Sequence, residues 1–234
     1  MGENSLETFL RIVLLPLLER YLAAQGTPMF VGANQFIYWQ QFDPTRSVAP
    51  DLYVVPGLPP GAEISSIQTW HGRQLVPSFA LEVVSTDKEK DYQRAPGKYD
   101  ELGTQELMIY DPSWASREGG LRWQVYRRVG KRGLVRTEVT QQDRVRSRVL
   151  NCWLRAVAQG TGIRLRLATG PQGDTLVPTE AEAERAEKEW ERAEKERERA
   201  EKERERKERE RLEALVAKLS RRRLLMARNL FAAL

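Results

Sequence analysis

The stretch Ser78–Pro112, SFALEVVSTDKEKDYQRAPGKYDELGTQELMIYDP, decides how this chain is read. Glu82 stands inside the apolar run Phe79, Ala80, Leu81, Val83 and Val84, whose composition predicts a buried strand. An ionised carboxylate there is costly unless something cationic meets it. A second acid, Asp51, opens another strand-like run, Leu52-Tyr53-Val54-Val55, after Pro50. Two acids set against the hydrophobic grain, with Lys98 shortly downstream, point to a divalent-metal site. Each also has a plainer reading. Asp51 suits a strand start or turn, Glu82 a buried salt bridge, and Lys98 a solvated helix position.

Outward from that stretch, apolar residues from Leu6 to Tyr21 recur at three- and four-residue spacing and predict an N-terminal helix that Pro16 kinks or divides. Phe36–Trp39 and Leu52–Val55 read as neighbouring strands joined through the turn residues Asp43-Pro44-Thr45-Arg46. Asp91–Leu102 has helical spacing, with regular helix from near Pro96 and Gly103 placed to end it. Leu107–Tyr110 is a short strand that Asp111-Pro112 stops. Leu121–Val129 and Leu134–Thr140 form a hairpin around Gly130–Gly133, and Val149–Val157 and Ile163–Leu167 supply further strands. The order predicts a mixed α/β (α+β) domain over 1–175.

After a linker at 176–183 the character changes. From Glu184 a seven-residue unit repeats, ERAEKEW, ERAEKER, ERAEKER, then a degraded ERKERER. Dense i,i+4 Glu to Lys or Arg pairing predicts one long charged helix over 184–234. Its heptad positions are mostly Ala and Arg, so a solvated single helix and a weak coiled coil both remain open. The end, with Leu212, Leu215, Val216 and Leu219, is apolar enough to dock or oligomerise.

Composition narrows the chemistry. Cys152 is the single cysteine and His71 the single histidine among 234 residues. A disulfide framework, a Cys-cluster zinc site and a two-histidine zinc motif are thereby excluded. Net charge is +5, of which residues 180–211 contribute −2 and 212–234 contribute +4. That is too mild to prove nucleic-acid binding, and the Arg127–Arg148 segment is the candidate phosphate-contact region. No signal peptide or membrane span is legible, so a cytoplasmic protein without membrane contact is expected.

The segments Ala49–Val55, Leu81–Ser85, Asp91 through Lys98-Tyr99 to Gly103, and Glu106–Pro112 resemble, in order and spacing, the Uma-type putative restriction endonuclease family of the PD-(D/E)xK nuclease superfamily. The resemblance spans roughly residues 5–170. It implies a restriction-endonuclease-like core, a central mixed sheet flanked by helices, and metal-dependent hydrolysis of DNA phosphodiester bonds. Mg²⁺ (or Mn²⁺) would be held by Asp51, Glu82 and the Val83 carbonyl. Lys98 would orient the attacking water, and Glu19 on the first helix would assist the metal shell. This sequence departs from the superfamily pattern, because the lysine expected two residues after the acid is Val84. The family's usual alternative, four residues after the aspartate matching Asp91, is Ala95. Lys98 lies about one helical turn further and projects from nearly the same face. Lys88 and Lys90 are weaker candidates in a loop. The displaced lysine motivates a second expectation, a catalytically inactive nuclease fold that binds nucleic acid or protein and is assembled through the C-terminal helix; a homo-oligomer could form through that helix or through the nuclease-like domain.

Overall fold

The computed structural model describes residues 5–72, 75–84, 90–116, 118–160 and 162–231. It has two compact units, Met1–Thr179 and Glu180–Leu234. The first is a mixed α/β unit around a central mixed sheet. That sheet has the order β1 (Phe30–Gly32), β4 (Leu52–Val55), β6 (Phe79–Val83), β7 (Glu106–Tyr110), β8 (Trp123–Arg128) and β9 (Leu134–Thr140). Only β6 and β7 run parallel within it. Parallel neighbours need a crossover, and the segment between these two contains the helix α3 (Ala95–Leu102).

Both faces of the sheet are covered, which explains why β4 and β7 are buried at every position. Leu52, Val54, Leu81, Met108 and Tyr110 point to one side and pack with the N-terminal helices α1 (Ser5–Phe9) and α2 (Leu15–Ala24). A second sheet, β10 (Arg144–Ser147), β11 (Cys152–Gln159), β12 (Gly162–Thr169) and β13 (Thr175–Leu176), contributes Leu154, Leu165 and Leu167 to that core. Tyr53, Val55, Ala80 and Ile109 point to the other side, where they meet Ala95, Tyr99 and Leu102 of α3.

Pro16 does divide the first helix. A π-turn at Leu10–Leu14 precedes α2, whose second residue is Pro16. Proline lacks the donor that a continuous α-helix needs, and the wider turn accommodates its ring. The same device recurs before α3. A π-turn at Lys90–Arg94 leads into Ala95-Pro96, and Gly103 ends the helix at φ +93°.

Two expectations are corrected. β2 (Phe36–Tyr38) is no neighbour of Leu52–Val55. It forms a separate three-stranded sheet with β3 (Ser47–Val48) and β5 (Ser66–Gln68), and β1 takes the place beside β4. The left-handed turn at Asn34 (φ +59°) redirects the chain between β1 and β2. The strand expected over Val149–Val157 starts later: β10 ends at Ser147, Val149–Asn151 belong to the turn after it, and β11 starts at Cys152. Buried Glu106 holds that turn, accepting from the Ser147 hydroxyl and from the Arg148 and Val149 N–H groups at 3.1 and 3.4 Å.

The second unit is the helix α4 (Glu180–Phe231), 52 residues long. It begins inside the 176–183 segment read from sequence as a linker. Pairs such as Glu184–Lys188 and Glu203–Lys207 run along it at i,i+4 spacing. Trp190, Leu212, Leu215, Val216 and Leu219 are exposed on it. Among the described residues no helix is long and apolar enough to cross a membrane.

Candidate active site

The antiparallel register of β4 and β6 pairs Leu52 with Leu81. One step further, Asp51 comes opposite Glu82. By the pleat both follow Tyr53, Val55 and Ala80 toward the α3 side of the sheet. Asp51 reaches across the strand pair, its Oδ2 accepting from the Val83 N–H at 2.6 Å. Glu82 is half-buried, and its Oε1 accepts from the Tyr99 hydroxyl at 2.5 Å. A rigid strand pair thus carries two carboxylates, and a helix residue ties down the second.

Helical spacing explains what α3 contributes. Ala95, Tyr99 and Leu102 form its buried face. Lys98, adjacent to Tyr99, lies at the margin of that face and is exposed. Its Nζ donates to the Ser47 carbonyl at 3.1 Å, which holds the side chain over the mouth of a cavity of about 410 Å³. Glu82, Arg94, Ala95, Lys98, Ser47 and Phe36 are among the lining residues. The position of the family's usual lysine, Ala95, and the lysine this chain has instead therefore open on the same space.

Glu19 does not line that cavity. It projects from α2, which covers the opposite face of the sheet. It lines a second cavity, of about 430 Å³, with Arg11, Gly32 and Asn34. Burial raises its carboxyl above the ordinary value. The link to Asp51 is indirect, through the Asn34 N–H, which donates to the Pro50 carbonyl at 2.8 Å. Lys88 lies outside the described residues, and so do the side chains of Lys90 and Asp91.

The arginines read as a phosphate-contact region are largely engaged within the fold. Arg127 is buried and donates to Glu106 at 2.9 Å and to Thr137 at 3.0 Å. Arg128 binds the carbonyls of Thr104 and Asp100 at 3.0 and 2.8 Å. Asp111 stops β7 as expected, with its Oδ1 accepting from the Ser113 N–H and its Oδ2 from the Tyr92 hydroxyl, both at 2.8 Å.

Sequence reasoning gave no role to Tyr99 or Phe36. The signal for Tyr99 was available, since it lies four residues after Ala95 and on one helix face with it. Phe36 carried no signal, because an aromatic in a short apolar run reads as core.

The family whose model matches the chain is Uma2, described as putative restriction endonuclease, over residues 10–158. Among solved structures, one described as a putative nuclease belonging to DUF820 from Anabaena variabilis ATCC 29413 is similar at a TM-score of 0.42 and 14% identity. The similarity covers 64% of this chain and 76% of that one. No curated protein matches.

Proposed function

We propose, for a chain that belongs to the Uma2 family of putative restriction endonucleases, that it is a metal-dependent DNA endonuclease of the PD-(D/E)xK type. The observation that carries this reading is the placement of Asp51 opposite Glu82, with Lys98 lining the same cavity as Glu82.

The donor set suits Mg²⁺ or Mn²⁺. Carboxylate and backbone carbonyl oxygens are hard ligands, and a pair of acids leaves coordination positions for water and a phosphate oxygen. Asp51, Glu82 and the Val83 carbonyl would hold the ion. When bound, it supplies Lewis-acid stabilisation of charge at the scissile phosphate. The other contributions come from side chains. Tyr99 keeps the Glu82 carboxylate in one orientation, and the Val83 N–H does the same for Asp51. Lys98 orients a water for in-line attack on phosphorus and offsets negative charge as the P–O bond to the leaving oxygen breaks. The attacking water gives up a proton to solvent, and the leaving oxygen takes one up from it. Glu19 lines the other cavity and is given no step here.

The test is cleavage of supercoiled, linear and single-stranded DNA by the full chain with Mg²⁺ or Mn²⁺, against chelator. Metal-stimulated cleavage that Glu82→Gln and Asp51→Asn abolish, with their circular dichroism unchanged, is the expected result. Cleavage of no DNA form, or equal cleavage by both variants, would overturn it.

A further inference from the structure

We infer that Phe36 is a base-stacking wall of the Glu82 cavity, and that the strand it accepts is unpaired DNA rather than an intact duplex. This rests on the nuclease reading of the cavity and deepens it.

Phe36 is 52% exposed, whereas the next residue, Ile37, is fully buried. On the pleated β2 strand, Phe36 and Tyr38 share one face, and their rings stack at 5.8 Å with 25° between planes. Ile37 pairs with Val48 and Ile67 and anchors the little sheet to the core. The aromatic pair therefore stands on the outer face of a strand held from behind. A large apolar ring left exposed, as that of Phe36 is, forgoes the stabilisation that burial would give. A partner that covers it restores it.

The other lining residues name the partner. Arg94 and Lys98, on α3 and the turn that leads into it, line the same cavity as Phe36, and so does Glu82. Cations suit phosphate oxygens, and an aromatic ring suits a nucleobase face. β2 and α3 are mechanically linked. Ser47 pairs with Tyr38 between β2 and β3, and its carbonyl accepts from Lys98 Nζ at 3.1 Å. A volume of about 410 Å³ is in the range of a pocket for one small ligand and so suits a single nucleotide. Inside a duplex each base is stacked on its neighbours, so only an unpaired or extruded base offers its face to Phe36. Every base has such a face, and the contact tolerates any sequence.

The experiment is fluorescence anisotropy with the full chain in chelator, so that cleavage does not intervene, using a labelled oligothymidylate and a labelled mixed-sequence duplex. The wild type is expected to bind the single strand more tightly than the duplex. Phe36→Ala is expected to weaken single-strand binding about 10-fold, in line with the loss of one base–aromatic stack. Phe36→Trp should restore it, and Tyr38→Ala should weaken it less. Because Phe36 is exposed, the fold is expected to survive these changes, and circular dichroism checks this. Equal binding of oligothymidylate by Phe36→Ala and wild type would overturn the inference. So would duplex binding as tight as single-strand binding, or no binding of either probe. Stacking without cleavage under any metal would sink the nuclease reading and leave this one standing. Cleavage at equal rates by wild type and Phe36→Ala on both DNA forms would do the reverse.

Discussion

Tyr99 donates its hydroxyl to Glu82 Oε1 at 2.5 Å, so the helix that carries Lys98 is fastened to the strand that carries the acid. Tyr99 is fully buried, and this bond fixes where Lys98 emerges from α3 relative to the carboxylate. Tyr99→Phe keeps the ring and deletes the bond. Stability is expected to fall by about 1.5–3 kcal/mol, the range for losing a hydrogen bond to a charged group. Cleavage should fall further than stability alone explains, through the turnover rate rather than substrate affinity. Urea denaturation and steady-state kinetics on one preparation measure both. Unchanged turnover would mean that Tyr99 serves packing only.

Lys98 and Ala95 open on one cavity, which makes the displaced lysine testable by transplantation. Lys98→Ala is expected to reduce turnover by about 10²–10³-fold, the usual cost of removing one charge-stabilising donor. Adding Ala95→Lys to that variant should recover part of the loss, because the new amine enters the same space from one turn earlier. Lys98→Ala with wild-type turnover would remove the lysine from the mechanism.

Glu19 and Glu82 line different cavities, and the two acids should behave differently. Glu82→Gln is expected to abolish metal-stimulated cleavage. Glu19→Gln should leave it within about 3-fold, a change near the half-kilocalorie typical of a surface substitution. The Glu19 carboxyl is raised by burial, so neutralising it also relieves a desolvated charge, and stability should hold or rise slightly at neutral pH. Loss of cleavage in Glu19→Gln at unchanged stability would return this residue to the site.

How far the sequence disclosed this depends on which physical signal each residue left. Glu82 was visible because an acid breaks an aliphatic strand, and Asp51 because it precedes one. Their apposition was not visible, since register is a long-range property of β4 and β6 separated by a long connection. The N-terminal helix, α3 and α4 were legible from periodicity, proline and heptad repeats. The short strands β1, β3, β5 and β13 were not, because two or three residues carry no period. β2 was found but assigned the wrong neighbour. Its apolar composition suited the central sheet as well as the small one, and the turn at Asn34 decides between them. Glu106 passed unnoticed as the first residue of an apolar run, although it organises a buried cluster.

Cys152 gives a pH dependence whose sign follows from its surroundings. Burial, and secondarily the Glu106 charge, push its thiol from 9.0 up to about 12. Burial likewise raises Tyr53, Tyr110 and Tyr126. Above pH 9 the unfolded thiol releases its proton while the folded one retains it, so the unfolded state is favoured. Stability is full below about pH 9 and is expected to decline as pH rises toward 12, in line with that shift. Cys152→Ala should make the decline shallower. In the native protein at pH 8 the thiol should resist alkylation and react only after denaturant is added. Rapid native labelling would contradict its burial.

Glu106 and Arg127 form the ion pair on which the join between the two larger sheets depends. Their side chains are 1% and 10% exposed, and the pair closes at 2.9 Å. Glu106 sits on β7, yet its other partners, the Ser147 hydroxyl and the N–H groups of Arg148 and Val149, lie at the β10–β11 turn. Arg127 also donates to the Arg146 carbonyl at 2.8 Å, so both partners bind across the same junction. Removing Glu106 leaves the buried Arg127 with its longer ion pair to the partly exposed Glu138 at 3.5 Å, and breaking a buried pair costs about 3–5 kcal/mol. Glu106→Gln is therefore expected to lower the unfolding free energy by that amount. Replacing both residues, as Glu106→Gln with Arg127→Met, should cost less than the sum of the single changes, because neither charge is left without its partner. A double-mutant cycle by urea denaturation measures this coupling. Strict additivity would show that each residue acts alone and that the pair does not hold the sheets together.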